Sequence, residues 1–299
     1  MKFLDAHHHF WDLDRNYHPW LCDEPLIPFR YGDYSNLRAN YLPEQYAVDT
    51  AELSIIGSVH VEAEWNPADP LAETRWLSTL TEECHHPIVF VAQAQLDRLD
   101  AEDILNGHSR FKQVRGIRHK PKSSKKEFAD RHRGAPGSMD DPNWRKGYAL
   151  LERFGYSFDL QIPYWHLDQA TELAADFPNI PIIINHAGLP IGRSDSNIRE
   201  WCKAIENIAG HQNVAIKLSG LGQSDQTWSV QTNREVVLEA IEIFGSERCM
   251  FASNFPVDRL CADLSSIIFG YRTIVDHLSD DIIANLFYQN AARIYRFSS

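Results

Sequence analysis

The sequence predicts one (β/α)8 TIM barrel occupying residues 1–299. Three observations predict it. Eight short β-rich apolar runs recur along the chain, amphipathic segments separate most of them, and ionisable residues gather at the carboxyl ends of the runs. Near-continuous apolar strands alternating with helices indicate parallel strands covered on the outside. Eight such units suit barrel closure better than a doubly wound sheet, the alternative. No linker or shift in composition divides the chain.

The first run passes from Phe3-Leu4 directly into His7-His8-His9-Phe10. On a strand, His7 and His9 share one side and His8 takes the other. Two imidazoles projecting together can hold one divalent cation; a polar strand end is the plainer alternative. A tag remnant is disfavoured, because the run is short and lies inside an apolar segment continuing to Trp11. A long aromatic, proline-bearing loop follows as far as about residue 43, read as a covering lid or a functional wall. Residues 44–51 suit a short helix.

The remaining strands are expected at 53–64, 88–96, 114–119, 157–163, 180–186, 213–219 and 248–254. Helical spacing is read at 72–83, 101–106, 144–154, 167–177, 197–208 and 233–244, and a last helix at 280–295 closes the ring.

In a barrel of this kind the active site lies at the carboxyl ends of the strands. The ends expected here carry His7 and His9, then Glu62 and Glu64, then Arg115, Arg118 and His119. Strand five leads into Tyr164, Trp165 and His166, strand six ends in Asn185-His186, strand seven in Lys217 and Ser219, and strand eight in Ser253-Asn254 with Asp258 beyond. Charge clustered at one end of apolar strands is costly unless paired or used, so these ends are the candidate site. His60 and Lys217 lie mid-run and are either satisfied core groups or functional ones. Trp65 and Trp165 read as packing residues, and His85-His86, before strand three, as surface. Residues 120–126 and 131–133 hold the one basic concentration, either a solvated loop or an attractor of anionic substrate.

Bulk properties narrow the function. A net charge of −12 argues against nucleic-acid binding, and no apolar stretch is long enough to cross a membrane. No signal peptide is visible, and five scattered cysteines without a CxxC pair fit a reduced, cytoplasmic protein. The expected partner is a small anionic molecule, with homo-oligomerisation left open.

The motifs Asp5-Ala6-His7-His8-His9-Phe10-Trp11, Tyr17-His18-Pro19-Trp20-Leu21, Val61-Glu62-Ala63-Glu64, Gly116-Ile117-Arg118-His119, Asn185-His186-Ala187-Gly188 and Phe251-Ala252-Ser253-Asn254-Phe255-Pro256-Val257-Asp258 span nearly the whole chain. Together they resemble the amidohydrolase superfamily, in its branch of small metal-dependent TIM-barrel hydrolases that includes sugar-acid and pyrone-dicarboxylate lactonases. The resemblance implies a metallo-dependent hydrolase in which His7 and His9 bind one divalent ion, zinc or manganese, with a metal-free site as the alternative. It implies that His186 binds metal or polarises a carbonyl, and that Arg118 anchors a carboxylate or hydroxyl. Two departures stand out: Asn254 occupies the strand-eight position where the family usually places an aspartate, and Gln161 stands where a strand-five histidine is expected.

The expected reaction is hydrolysis of a lactone of a sugar acid or dicarboxylate. Asp258, Glu62 and His186 are the candidate bases, and Asn254 is a neutral ligand or water-orienting group. Arg118, His119, Tyr164 and His166 are the candidate substrate contacts. Metal-dependent non-oxidative decarboxylation is the alternative, and a binding protein without catalysis a third reading.

Overall fold

In the computed structural model, which describes residues 1–81, 84–224 and 226–297, eight parallel strands form one sheet in the order β1 to β8. They are β1 Lys2–His8, β2 Ser54–Val61, β3 Ile88–Gln93, β4 Val114–Arg118, β5 Ser157–Leu160, β6 Ile182–Ile184, β7 Val214–Leu218 and β8 Cys249–Phe251. The ring closes between β8 and β1 just past the strands. Asn254 N–H donates to His7 O at 2.8 Å, and His9 N–H donates to Phe255 O at 2.8 Å.

Strand side chains alternate, so each strand feeds two apolar layers. Leu4, Ala6, Val59, Val61, Val89, Val91, Ile183, Ala215, Met250 and Ala252 form the barrel interior. Phe90, Ile117, Phe158, Ile182, Ile184, Ile216 and Phe251 face the helices. Burial on both faces is why these strands read as apolar runs and not as alternating ones.

The helices are α1 Pro19–Cys22, α2 Pro43–Asp49, α3 Ala72–Leu80, α4 Ala101–His108, α5 Pro142–Phe154, α6 Leu167–Asp176, α7 Asp195–Ala209, α8 Val230–Phe244, α9 Leu264–Ile274, α10 Asp280–Ala284 and α11 Asn290–Ile294. Caps mark several starts: the side chains of Asp141, Ser194, Ser229 and Asp263 accept from backbone N–H groups of the first turn.

Several sequence expectations need correction. Helix α1 interrupts the stretch expected to be loop, started by Pro19 at its first position. Helix α9 was missed, although Asp263 is a sound N-cap and an apolar helical face follows it. The last helical stretch is not uniform, because a π-turn at Asn285–Gln289 joins α10 to α11. The end of the helix expected at 72–83 lies outside the described residues, as does the His132 side chain of the basic loop. His86 is not plain surface: Ser58 Oγ lies 3.0 Å from its Nε2, and His8 Nε2 lies 2.9 Å from the same hydroxyl.

Candidate active site

The β1 terminus is built by a register irregularity. Pairing with β2 shifts between Asp5 and His8, so Ala6 joins the interior while the next residue, His7, also turns inward to the barrel mouth. His8 lies outward against Ser58 and Tyr46. Such bulges re-aim side chains at barrel rims. Below them Asp5 accepts from Ser253 N–H at 2.9 Å, Ser253 Oγ at 2.5 Å and Tyr46 OH at 3.0 Å, which ties β1 to β8 and α2.

His7 and His9 meet through their Nε2 atoms, 3.2 Å apart. The His186 ring lies 4.7 Å from that of His7. His9 Nδ1 lies 2.7 Å from Val61 O, which makes that nitrogen the protonated one and leaves Nε2 with a lone pair. His186 Nδ1 pairs with Ser219 Oγ at 3.0 Å. Burial pushes all three imidazoles well below their usual range, so they are neutral near neutral pH. His186, Asn254 and Glu64 sit at φ of 54°, 55° and 55°. That left-handed conformation costs a side chain about 1–2 kcal/mol, and such strain clusters at functional sites.

A cavity of about 310 Å³ opens over these groups. His9, Arg118, His186 and Asn254 line it together with Arg30, Glu64, Lys120 and Gln161, and Trp20 and Phe29 form an aromatic wall. Arg118 is held by a buried ion pair, its Nε 2.5 Å from Glu62 Oε1, while its second nitrogen donates to the Glu62 carbonyl and its third to Gln161 Oε1 at 3.1 Å. Lys120 pairs with Glu64. Asp258 is fully buried behind the cavity, where Asn254 Nδ2 donates to its Oδ1 at 2.6 Å and Tyr31 OH donates to the same oxygen at 3.0 Å. Burial outweighs these contacts and the nearby Arg30 charge, raising Asp258 from 3.8 to about 6.

Of the residues expected from sequence, His7, His9, Arg118, His186 and Asn254 come together. Glu62 and Asp258 stand one shell behind. Glu62 has both carboxylate oxygens engaged, Oε1 by Arg118 and Oε2 by the Glu64 N–H, so it positions Arg118 and does not line the cavity itself. The three other expected substrate contacts are corrected. His119 turns outward, its Nδ1 accepting from Trp144 Nε1 and Leu96 N–H, both at 3.0 Å. Tyr164 lies under Lys126 outside this cavity, and His166 Nε2 accepts from Ser124 N–H at 3.0 Å, fixing the loop after β4. Of the two mid-run groups, His60 is a core residue against Phe10. Lys217 forms a buried pair with Asp159 at 2.6 Å.

Sequence reasoning missed Arg30, Trp20 and Phe29 as cavity residues, and nothing in the loop's composition singles them out. Lys120, from the basic stretch read as a solvated loop or an attractor of anionic substrate, does line the cavity, on the same side as Arg118 as alternation requires.

Among the described residues, no group of three or more His, Cys, Asp or Glu is placed to hold an ion. The His7–His9 pair nevertheless suits one. Ligand nitrogens about 2.1 Å from a tetrahedral ion stand roughly 3.4 Å apart, close to the separation between these two. His7 Nδ1 and Asp258 Oδ2 are buried without partners.

A ring of parallel strands carrying neutral imidazoles, an arginine and an amide at its carboxyl ends has its candidate site where TIM-barrel enzymes carry theirs. The comparisons assign the family: a family model described as Amidohydrolase matches residues 4–297, and the chain belongs to that family. It is 36% identical over 296 residues to the protein y4mH of Sinorhizobium fredii, covering 99% of each chain. It is 25% identical over 301 residues to an L-fucono-1,5-lactonase of Burkholderia ambifaria, covering 98% of this chain and 95% of the relative. The fold also matches a Burkholderia multivorans amidohydrolase crystallised with bound zinc, with a TM-score of 0.82, 23% identity and both chains fully covered.

Proposed function

We propose that the enzyme opens a lactone of a sugar acid or dicarboxylate by attack of water at the ring carbonyl. The observation that carries this reading is the convergence of His7, His9 and His186 under one small cavity. The lactonase relative supports the reaction class. The cavity lies at the lower end of small-molecule site sizes, which suits a single sugar-acid ring.

His7 and His9 would hold a divalent cation, zinc or manganese, beside the neutral amide of Asn254. Such an ion would supply Lewis-acid polarisation of a carbonyl and lower the pKa of a bound water. His186, neutral and oriented by Ser219, addresses the carbonyl oxygen as negative charge develops there. Arg118 spends three of its N–H groups on Glu62 and Gln161, which leaves two of the guanidinium's five for the substrate. Asp258, behind Asn254, is the carboxylate we assign to receive the proton of the attacking water, which would reach it through one intervening water. Its Oδ2 is unengaged, whereas Glu62 and Glu64 are held by Arg118 and Lys120. The ring C–O bond then breaks, and the departing alkoxide oxygen takes back the proton held by Asp258.

The test is a panel of aldono- and aldaro-lactones assayed by proton release, with metal content measured on untagged protein. Ring opening is expected, with kcat reduced about 100-fold or more in His186→Gln, and bound zinc or manganese lost in His7→Ala. Release of carbon dioxide without ring opening would transfer the reading to decarboxylation, and tight binding without turnover would end the catalytic reading altogether.

A further inference from the structure

Three cations line the cavity, and two of them are neutralised within the protein: Arg118 by Glu62 and Lys120 by Glu64. The third, Arg30, makes no ion pair with a carboxylate among the described residues. Asp258, whose carboxyl feels the Arg30 charge, accepts its hydrogen bonds from Asn254, Tyr31 and the Gly220 N–H. The guanidinium instead lies over the Tyr31 ring, 4.5 Å from its centre.

Arg30 is also held in place. The preceding Phe29 stacks on Trp20 at 6.0 Å with the rings 20° apart, and Trp20 Nε1 donates to Ala63 O at 2.9 Å at the end of β2. On the far side, Gly220 at φ +60° leaves a slot that Arg30 shares with His186. A Cβ added there would stand 2.6 Å from the guanidinium and 2.5 Å from His186 Nδ1. The fold therefore keeps a position beside the candidate reacting centre free of any side chain, and a guanidinium without an ion pair among the described residues occupies it. A guanidinium that faces the cavity without an ion pair is free to meet an anion, and its planar fork matches a carboxylate in two parallel hydrogen bonds.

We propose that Arg30 is the specificity-determining residue of this site, anchoring a free carboxylate borne by the substrate so that the enzyme prefers lactones carrying one over neutral polyol lactones. This rests on the lactone-opening reading above. Arg118, already committed to Glu62, is left with hydroxyl groups as its natural partners, so the two arginines divide the two ends of the molecule between them.

The experiment compares two lactones that differ at one carbon: an aldaric acid monolactone, which keeps a terminal carboxylate, and the matching aldonolactone, which has a hydroxymethyl group there. The readout is the ratio of their kcat/KM values in wild type, Arg30→Gln and Arg30→Lys. A charge-assisted pair predicts that Arg30→Gln lowers the ratio roughly 10- to 100-fold. Arg30→Lys, which keeps the charge but not the fork, should restore part of it. A ratio unchanged within about threefold in Arg30→Gln, or a wild type that prefers the hydroxymethyl lactone, would overturn the proposal. If neither lactone is opened, the lactonase reading falls, and calorimetric binding of the open-chain aldarate against the aldonate still decides Arg30's role. A preference for the dicarboxylate that disappears in Arg30→Gln supports it, and equal binding by wild type refutes it.

Discussion

At single positions, what decides a role here is which way alternation and the local bulge turn a side chain. Arg118 and His119 are adjacent, yet one reaches the cavity and the other serves as an acceptor for Trp144. Asp258 shows the same economy. Its carboxyl is raised to about 6 because burial outweighs Asn254, Tyr31 and Arg30. The folded protein thus holds this proton more tightly than the unfolded chain, where the value is near 3.8. The stability this group contributes is present below about pH 4 and is lost as pH rises through about 6. Asp258→Asn keeps the acceptor oxygen for Asn254 and is always neutral, so between pH 4 and 6 it should gain on wild type by up to about 3 kcal/mol. Urea unfolding across that range measures the gap, and a gap that does not widen would mean that the carboxyl is ionised in the fold. The same variant should lose about 100-fold or more in kcat if Asp258 accepts the proton.

At the level of elements, the segment between β1 and α2 is part of the site as well as a cover. It supplies Trp20, Phe29 and Arg30 to the cavity, and it sends Tyr31 to Asp258. The loop after β7 answers it with Gly220. Gly220→Ala adds a methyl group that meets both His186 and Arg30 in a backbone region unfavourable to alanine. We expect a stability loss of about 1–3 kcal/mol and a larger proportional loss of kcat/KM, because two site residues move together. A variant that melts lower yet keeps full kcat/KM would show that the slot does not set the site's geometry. The existence of this segment as a long functional loop was legible from its length and aromatic content. Its individual contacts were not, since a loop has no periodicity from which direction can be read.

For the molecule as a whole, a buried polar unit sits inside an otherwise apolar barrel. Lys217 on β7 pairs with Asp159 on β5 at 2.6 Å, and Tyr295, just beyond α11, donates to the same carboxylate at 2.9 and 3.0 Å. The chain terminus is thereby fastened to the barrel interior, with the Lys217 ammonium 4.9 Å from the Tyr295 ring centre. Removing one partner leaves a buried charge uncompensated, so Lys217→Met alone should cost about 3–5 kcal/mol. Adding Asp159→Asn should recover much of that, which a double-mutant cycle on unfolding free energies would measure. Additive losses would mean that the pair is not coupled.

The order of eight strands, their covering helices and the HxH motif at the first strand's end were all present in the hydrophobic pattern and spacing of the chain. Those features are local, and alternation along one strand is enough to express them. Folding alone decided that Glu62 grips Arg118, that His119, Tyr164 and His166 face elsewhere, and that Arg30 stands beside His186 with no ion pair among the described residues. Each of these depends on which residues distant in sequence approach to hydrogen-bonding distance. That is set by barrel closure and by loop packing over its mouth, and neither leaves a periodic trace in the sequence.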